Sequence, residues 1–253
     1  MSKVPHYAVD LTEELDKEIG TPPGVTSEES SVKPGRRMRF GELMKEVPRA
    51  LIVYKEGHCS CYESTEYYDD WLLRTGGGGS SLPAVPPERD GYILIENEVE
   101  GFVQLWHRYQ STGARKRRFI GLAAQRLERA AERLDNEDQL IEIMIAAEAL
   151  FLAGLGRNIK YKGELPYQLA INAAFLLAQS EEERATIFEQ LRSAYDLRSE
   201  VVRGGSPLLE AIEKIRENAE SHVRRALHLL LERAAAQATG ELIGWEQVVL
   251  SSS

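Results

Sequence analysis

Apolar residues recur every three to four positions through most of the second half of this chain, a spacing that predicts helices. The first carries Val99, Phe102, Val103, Trp106 and Tyr109 on one face, with Asn97 and Glu100 at its capping positions. Residues 117–134 predict a second through Ile120, Ala123, Leu127, Ala130 and Leu134. Residues 138–153 predict a third through Ile141, Met144, Ile145, Phe151 and Leu152, stopping at Gly154. Pro166 suits the first turn of a fourth, which runs through Leu169, Ala173, Leu176 and Leu177. Ser180 and Glu183 have the spacing of a capping box, so a fifth begins at Glu181, buries Phe188, Leu191, Tyr195 and Val202, and ends at Gly204 and Gly205. Ser206-Pro207 opens a very long sixth, with Ile212, Ile215, Ala219, Val223, Ala226 and Leu230 inside. Short connections between such helices predict an all-α antiparallel bundle.

The first third reads differently. Residues 1–38, with Pro22-Pro23-Gly24 and Lys33-Pro34-Gly35, predict an extended or disordered arm. Residues 39–75 form a small N-terminal region with short strands, one at Ala50-Leu51-Ile52-Val53-Tyr54; the aromatic group Tyr62, Tyr67, Tyr68 and Trp71 suits core packing or a partner-facing surface. The Gly/Ser/Pro stretch 76–89 is a linker, since its glycines lack the Lys-Ser/Thr of a phosphate-binding loop. The helical domain spans 90–250 and opens with a short strand at Tyr92-Ile93-Leu94-Ile95.

Two charges interrupt the apolar stripes. Arg198 lies on that of the fifth helix and Glu148 on that of the third, and each explains the other as one half of an interhelical pair. Such a pair serves either to fix register or as part of a functional site.

Composition narrows the classes. With 43% apolar and 28% charged residues among 253, the chain suits a soluble globular protein, and its apolar runs are too short to span a bilayer. A cytoplasmic location is the expectation, with no membrane partner. The net charge of −9 disfavours broad nonspecific binding to nucleic acid but leaves room for a small basic pocket. His58, Cys59 and Cys61 offer three ligands where closed zinc sites use four, so neither metal nor cofactor is expected.

Ala147-Glu148-Ala149-Leu150, Tyr161-Lys162, Glu182-Glu183-Arg184 and Tyr195-Asp196-Leu197-Arg198-Ser199 ahead of Val201-Val202 and Gly204-Gly205 fall in the order and spacing of a known pattern. Over residues 90–250 the chain resembles the Apea-like group of HEPN domains. The resemblance implies a helical bundle that pairs into a dimer, bringing two copies of an Arg, a polar residue and a His into one cleft. It also implies metal-independent endoribonuclease chemistry of the kind found in toxin–antitoxin and antiviral defence systems, with RNA or a nucleotide as ligand and an antitoxin or defence protein as partner.

One position departs from that pattern. After Arg198 and four intervening residues, where the family carries histidine, this chain has Arg203. Histidine moves protons near neutral pH, whereas a guanidinium stays protonated and only stabilises charge. The site residues implied are Arg198 and Arg203 on phosphate, Ser199 as the polar residue and Glu148 as partner, with ribonuclease activity weakened or lost. His222, on the inner face of the sixth helix, is the candidate substitute base, against a plainer role as a core histidine. His107 and His228 read as surface positions, and Arg115-Lys116-Arg117-Arg118 as a solvated run able to guide an RNA backbone. The alternative from a different class is a non-catalytic helical module for dimerisation or partner binding.

Overall fold

The structure is a computed structural model that describes residues 46–59, 92–154, 165–205, 208–240 and 242–245, all within one compact unit, Leu43–Ser253. The arm at 1–38, Cys61, the aromatic group 62–71, the linker 76–89, Tyr161-Lys162 and Ser206-Pro207 lie outside those residues. Among them are eight helices and no sheet. We label them α1 (46–54), α2 (Glu96–Gln110), α3 (Thr112–Arg115), α4 (Arg118–Glu132), α5 (Asn136–Phe151), α6 (Leu165–Leu177), α7 (Glu181–Val202) and α8 (Leu209–Ala236).

Two helices organise the rest. α5 packs on α4, α6, α7 and α8, and α8 packs on every helix from α2 to α7. Burial on α5 therefore runs around its whole circumference: Leu140, Ile143, Met144, Ala146, Ala147, Leu150 and Phe151 are all enclosed, while Ile141 and Ile145 of the expected stripe are only half-buried. A helix apolar on nearly every side belongs in the middle of a bundle. α8 buries Ile212, Ala219, Val223, Ala226 and Leu230 as its spacing predicts.

Helix ends sealed by neighbours tie the bundle together, because terminal carbonyls have no partner within their own helix. Asn172, fully buried on α6, donates to Phe151 O at 2.6 Å, and Trp245 Nε1 donates to Ala153 O at 2.6 Å. At the end of α1, Tyr92 Oη, Arg224 Nε and His228 Nε2 donate to the carbonyls of Leu51, Ile52 and Val53.

Several expectations are corrected. Residues 50–54 are helical, since Ile52 and Val53 reach the core on a helical face and tertiary packing overrides the β-preference of the run. Residues 92–95 form no strand and lead into α2, whose entry is capped by the Glu98 carboxylate accepting from Ile95 N–H at 3.0 Å, not by Asn97 and Glu100. On α2, Val99 and Val103 are exposed and Leu105 is the buried residue. Leu134 is 69% exposed and Val202 62%, because each lies at or beyond the end of its helix, where the core has stopped. α7 buries Ile187, Leu191, Ala194 and Leu197; Leu191 of the expected stripe is enclosed, while Phe188 and Tyr195 are half-buried beside it.

Three glycines separate the forces at work. A Cβ on Gly113 would sit 1.8 Å from Ala234 O, backbone against backbone, so Gly113→Ala should cost about 3 kcal/mol. Gly204 has open space but φ +85°, and Gly204→Ala should cost about 1 kcal/mol. Gly121 has open space within helical α4, so Gly121→Ala should stabilise by about 0.5–1 kcal/mol. Urea unfolding of the three variants checks this order.

Candidate functional site

The site begins with how α7 is held at both ends. Ser180 Oγ accepts from Glu183 N–H at 3.1 Å, and the Glu183 carboxylate accepts from Gln179 N–H at 2.8 Å. At the other end Gly205 N–H reaches Glu200 O and Gly204 N–H reaches Val201 O, the paired bonds of a Schellman turn, with Gly204 in the left-handed region. Both ends are where the spacing of Ser180, Glu183 and the glycine pair places them.

Between them Arg198 Nη1 donates to Glu148 Oε1 at 3.1 Å, joining α7 to α5 as the interrupted stripes predict. The side chains of Arg198 and Glu148 are 23% and 32% exposed. At that exposure the pair contributes on the order of 1 kcal/mol or less, not the several that a fully buried pair would lose on breaking. Arg198 also lies 5.7 Å from the centre of the Tyr195 ring. A guanidinium has five N–H donors. Here one is bonded, Nε is buried without an acceptor, and no bond to Nη2 is found among the described residues.

The other predicted residues spread out from this point. Ser199 Oγ donates to Tyr195 O at 2.9 Å, so its proton is committed to its own helix. Arg203 caps α7, is exposed and has no side-chain partner among the described residues. It stands about 7.5 Å along the helix and about 140° around it from Arg198, so the two present separate cationic positions.

His222 is buried, and its Nε2 donates to Gln190 Oε1 at 2.7 Å, leaving Nδ1 enclosed without a partner. Burial, and secondarily the charge of Arg225, press its pKa down to about 4 against the opposing pull of Glu183. Gln190 precedes Arg198 by eight residues, about 12 Å along α7, so the structure does not bring His222 to Arg198. His228 is half-buried against Tyr54, not a surface residue, and burial lowers its pKa. His107 is exposed.

The basic run is also built into the fold. Arg117 is buried and donates to Gly113 O at 2.7 Å and Gly240 O at 3.3 Å, while Arg115 pairs with Glu46 at 2.9 Å. Lys116 and Arg118 remain exposed. His58 Nδ1 donates to Ala131 O at 3.0 Å. Among the described residues no group of three His, Cys, Asp or Glu side chains is arranged to hold a metal ion, and no helix is long and apolar enough to cross a membrane.

Sequence reasoning missed two buried carboxylates. Glu142 accepts from Arg126 at 2.8 Å and Arg133 at 3.1 Å, and Glu220 accepts from Arg216 at 2.8 Å and Arg224 at 2.6 Å. The spacing of Arg216, Glu220 and Arg224, four apart, was the available signal. Compared with models of protein families, with curated proteins and with solved structures, the chain matches none.

The buried His222 carries a pH dependence. Unfolded histidine binds a proton below about 6.5, but folded His222 resists it down to about 4, so between these values the unfolded state holds more protons. Stability from this residue is fully present above pH 6.5 and is lost as pH falls towards 4, by on the order of 2–3 kcal/mol. Urea midpoints from pH 7 to 4.5 should fall less steeply in His222→Gln than in the parent; parallel curves would refute the assignment.

Proposed function

We propose that this chain is a HEPN-like helical protein that holds RNA or a nucleotide through its phosphates at Arg198 and Arg203, with ribonuclease chemistry weak or absent. The observation that carries this reading is the state of Arg198: Nη1 is tied to Glu148, the guanidinium lies near Tyr195, and Nη2 bears no bond among the described residues. A phosphate oxygen is the acceptor such a planar fork suits best. Arg203, exposed at the end of α7 and about 140° around it from Arg198, can meet a second phosphate of a strand that wraps this end of the helix.

Cleavage of RNA without metal needs groups that take a proton from the 2′-hydroxyl and give one to the leaving oxygen, besides positive charge near the phosphorus. Arg198 and Arg203 supply the charge. Neither transfers protons at neutral pH, Ser199 is bonded to its own backbone, and His222 is buried with a pKa of about 4. The missing proton transfer lowers the rate by about 10²–10⁴-fold. On this reading the chain acts beside RNA in a toxin–antitoxin or antiviral defence setting, as a homodimer or with an antitoxin-like partner.

A second reading, a helical interaction module, draws on one further observation. Val202, Leu208 and Leu209 are exposed around the turn that carries Arg203, an apolar surface that a second copy or another protein would cover.

A cleavage assay with EDTA on single-stranded and structured RNA tests the first reading. The parent protein should bind RNA with little cleavage, Arg203→His should cut at least about 100-fold faster, and Arg198→Ala should abolish that gain. Parent and both variants alike in binding and cleavage would favour the interaction module.

A further inference from the structure

A second concave region lies away from Arg198. It is a cavity of about 690 Å³, walled by the turn that follows α1, the segment ahead of α2, Leu134 and the first turn of α5, and one face of α8. That volume suits a small organic ligand. Asn136, on its α5 wall, is twelve residues and about 18 Å from Glu148 along that helix, so the two sites are separate.

The charges lining this cavity are already matched. Arg216 bonds Glu220 at 2.8 Å and Glu217 at 3.3 Å, and Lys55 Nζ bonds Glu98 at 2.5 Å. Glu220 in turn accepts from Arg224, and Glu56 adds a further carboxylate to the lining. With its cations neutralised and acids beside them, the cavity has little to offer a phosphate or another small anion.

Arg216 Nε is sealed off without an acceptor, so what remains open to the cavity is mainly acceptor capacity. His58 gives its Nδ1 proton to Ala131 O, which leaves Nε2 of the neutral ring with a lone pair. Gln139 Nε2 donates one N–H to Arg133 O at 2.7 Å, while its side-chain carbonyl oxygen accepts no hydrogen bond among the described residues. Gln139 is 8% exposed as a residue, and its Oε1 is not sealed off, so that oxygen can accept from a ligand in the cavity. The remaining surfaces are flat or apolar. Tyr92 is pinned by its hydroxyl to Leu51 O, and Ile93 and Leu134 line the cavity while largely exposed.

We infer that this cavity binds a planar, uncharged heterocycle carrying N–H donors, of the nucleobase or nucleoside type. Its exocyclic or ring N–H groups meet Gln139 Oε1 and His58 Nε2, and its faces rest on Tyr92, Ile93 and Leu134. The inference does not depend on the phosphate site at Arg198.

Calorimetric titration of the whole protein with adenosine, cytidine and uridine, and with inorganic phosphate alone, tests it. At least one nucleoside should bind with Kd below about 1 mM, and phosphate should neither bind in this cavity nor compete. Leu134→Ser and Ile93→Ser change exposed positions and should preserve the fold by circular dichroism while weakening binding at least about fivefold. Gln139→Met should weaken it as well, and Arg198→Ala should leave it unchanged. No binding by any nucleoside, competition by phosphate, indifference to Leu134→Ser and Gln139→Met, or loss in Arg198→Ala would each overturn the inference.

Discussion

The constraint on which this structure depends is that α5 is buried on nearly every side and still carries charge. A helix so placed must have each polar group answered by a neighbour, because an unmatched one costs far more than a matched one returns. Glu142 is answered by Arg126 and Arg133, Glu148 by Arg198, and Phe151 O by Asn172. Burial alone raises the pKa of Glu142, but the hydrogen bonds from the two arginines outweigh it and the net shift is downward. The positions of α4, α6 and α7 are thereby tied to specific atoms of α5 and not only to a shared apolar surface.

The candidate site inherits its geometry from this arrangement. Glu148 stands on the enclosed α5 and accepts from Nη1 of a guanidinium whose Nη2 bears no bond among the described residues. Arg203 owes its exposure to the Schellman turn that ends α7. With Arg198 held by Glu148 and Arg203 exposed at the helix end, the reading proposed above assigns this site to charge recognition. α8 plays a parallel part on another side of the bundle, where Glu217 and Glu220 together match the charges of Arg216 and Arg224 beside the cavity.

Much of the fold was legible because its signals are local. The capping pair Ser180 and Glu183, Pro166 in a first turn, and the glycines after Arg203 mark helix ends by backbone chemistry that does not depend on the surroundings. Glu148 and Arg198 were legible as a pair because each interrupts an apolar stripe. The misread parts were settled by packing at a distance. Residues 50–54 have the composition of a strand but become helical where Ile52 and Val53 meet the core and Arg224 and His228 of α8 seal the end. Leu134 and Val202 continue a stripe in sequence past the point where the core continues in space. Gln139 and Glu220 gave no sign of a cavity, since its walls come from four separate stretches of chain.

The central claim is that Arg198 and Arg203 each meet a phosphate. The direct measurement is the salt dependence of affinity for a short single-stranded RNA, compared among the parent protein, Arg198→Ala and Arg203→Ala. Each phosphate contact adds about 0.7 to the slope of log affinity against log salt for a single strand. The account predicts that each substitution weakens binding and reduces that slope by about 0.7. Slopes and affinities unchanged by either substitution would contradict it.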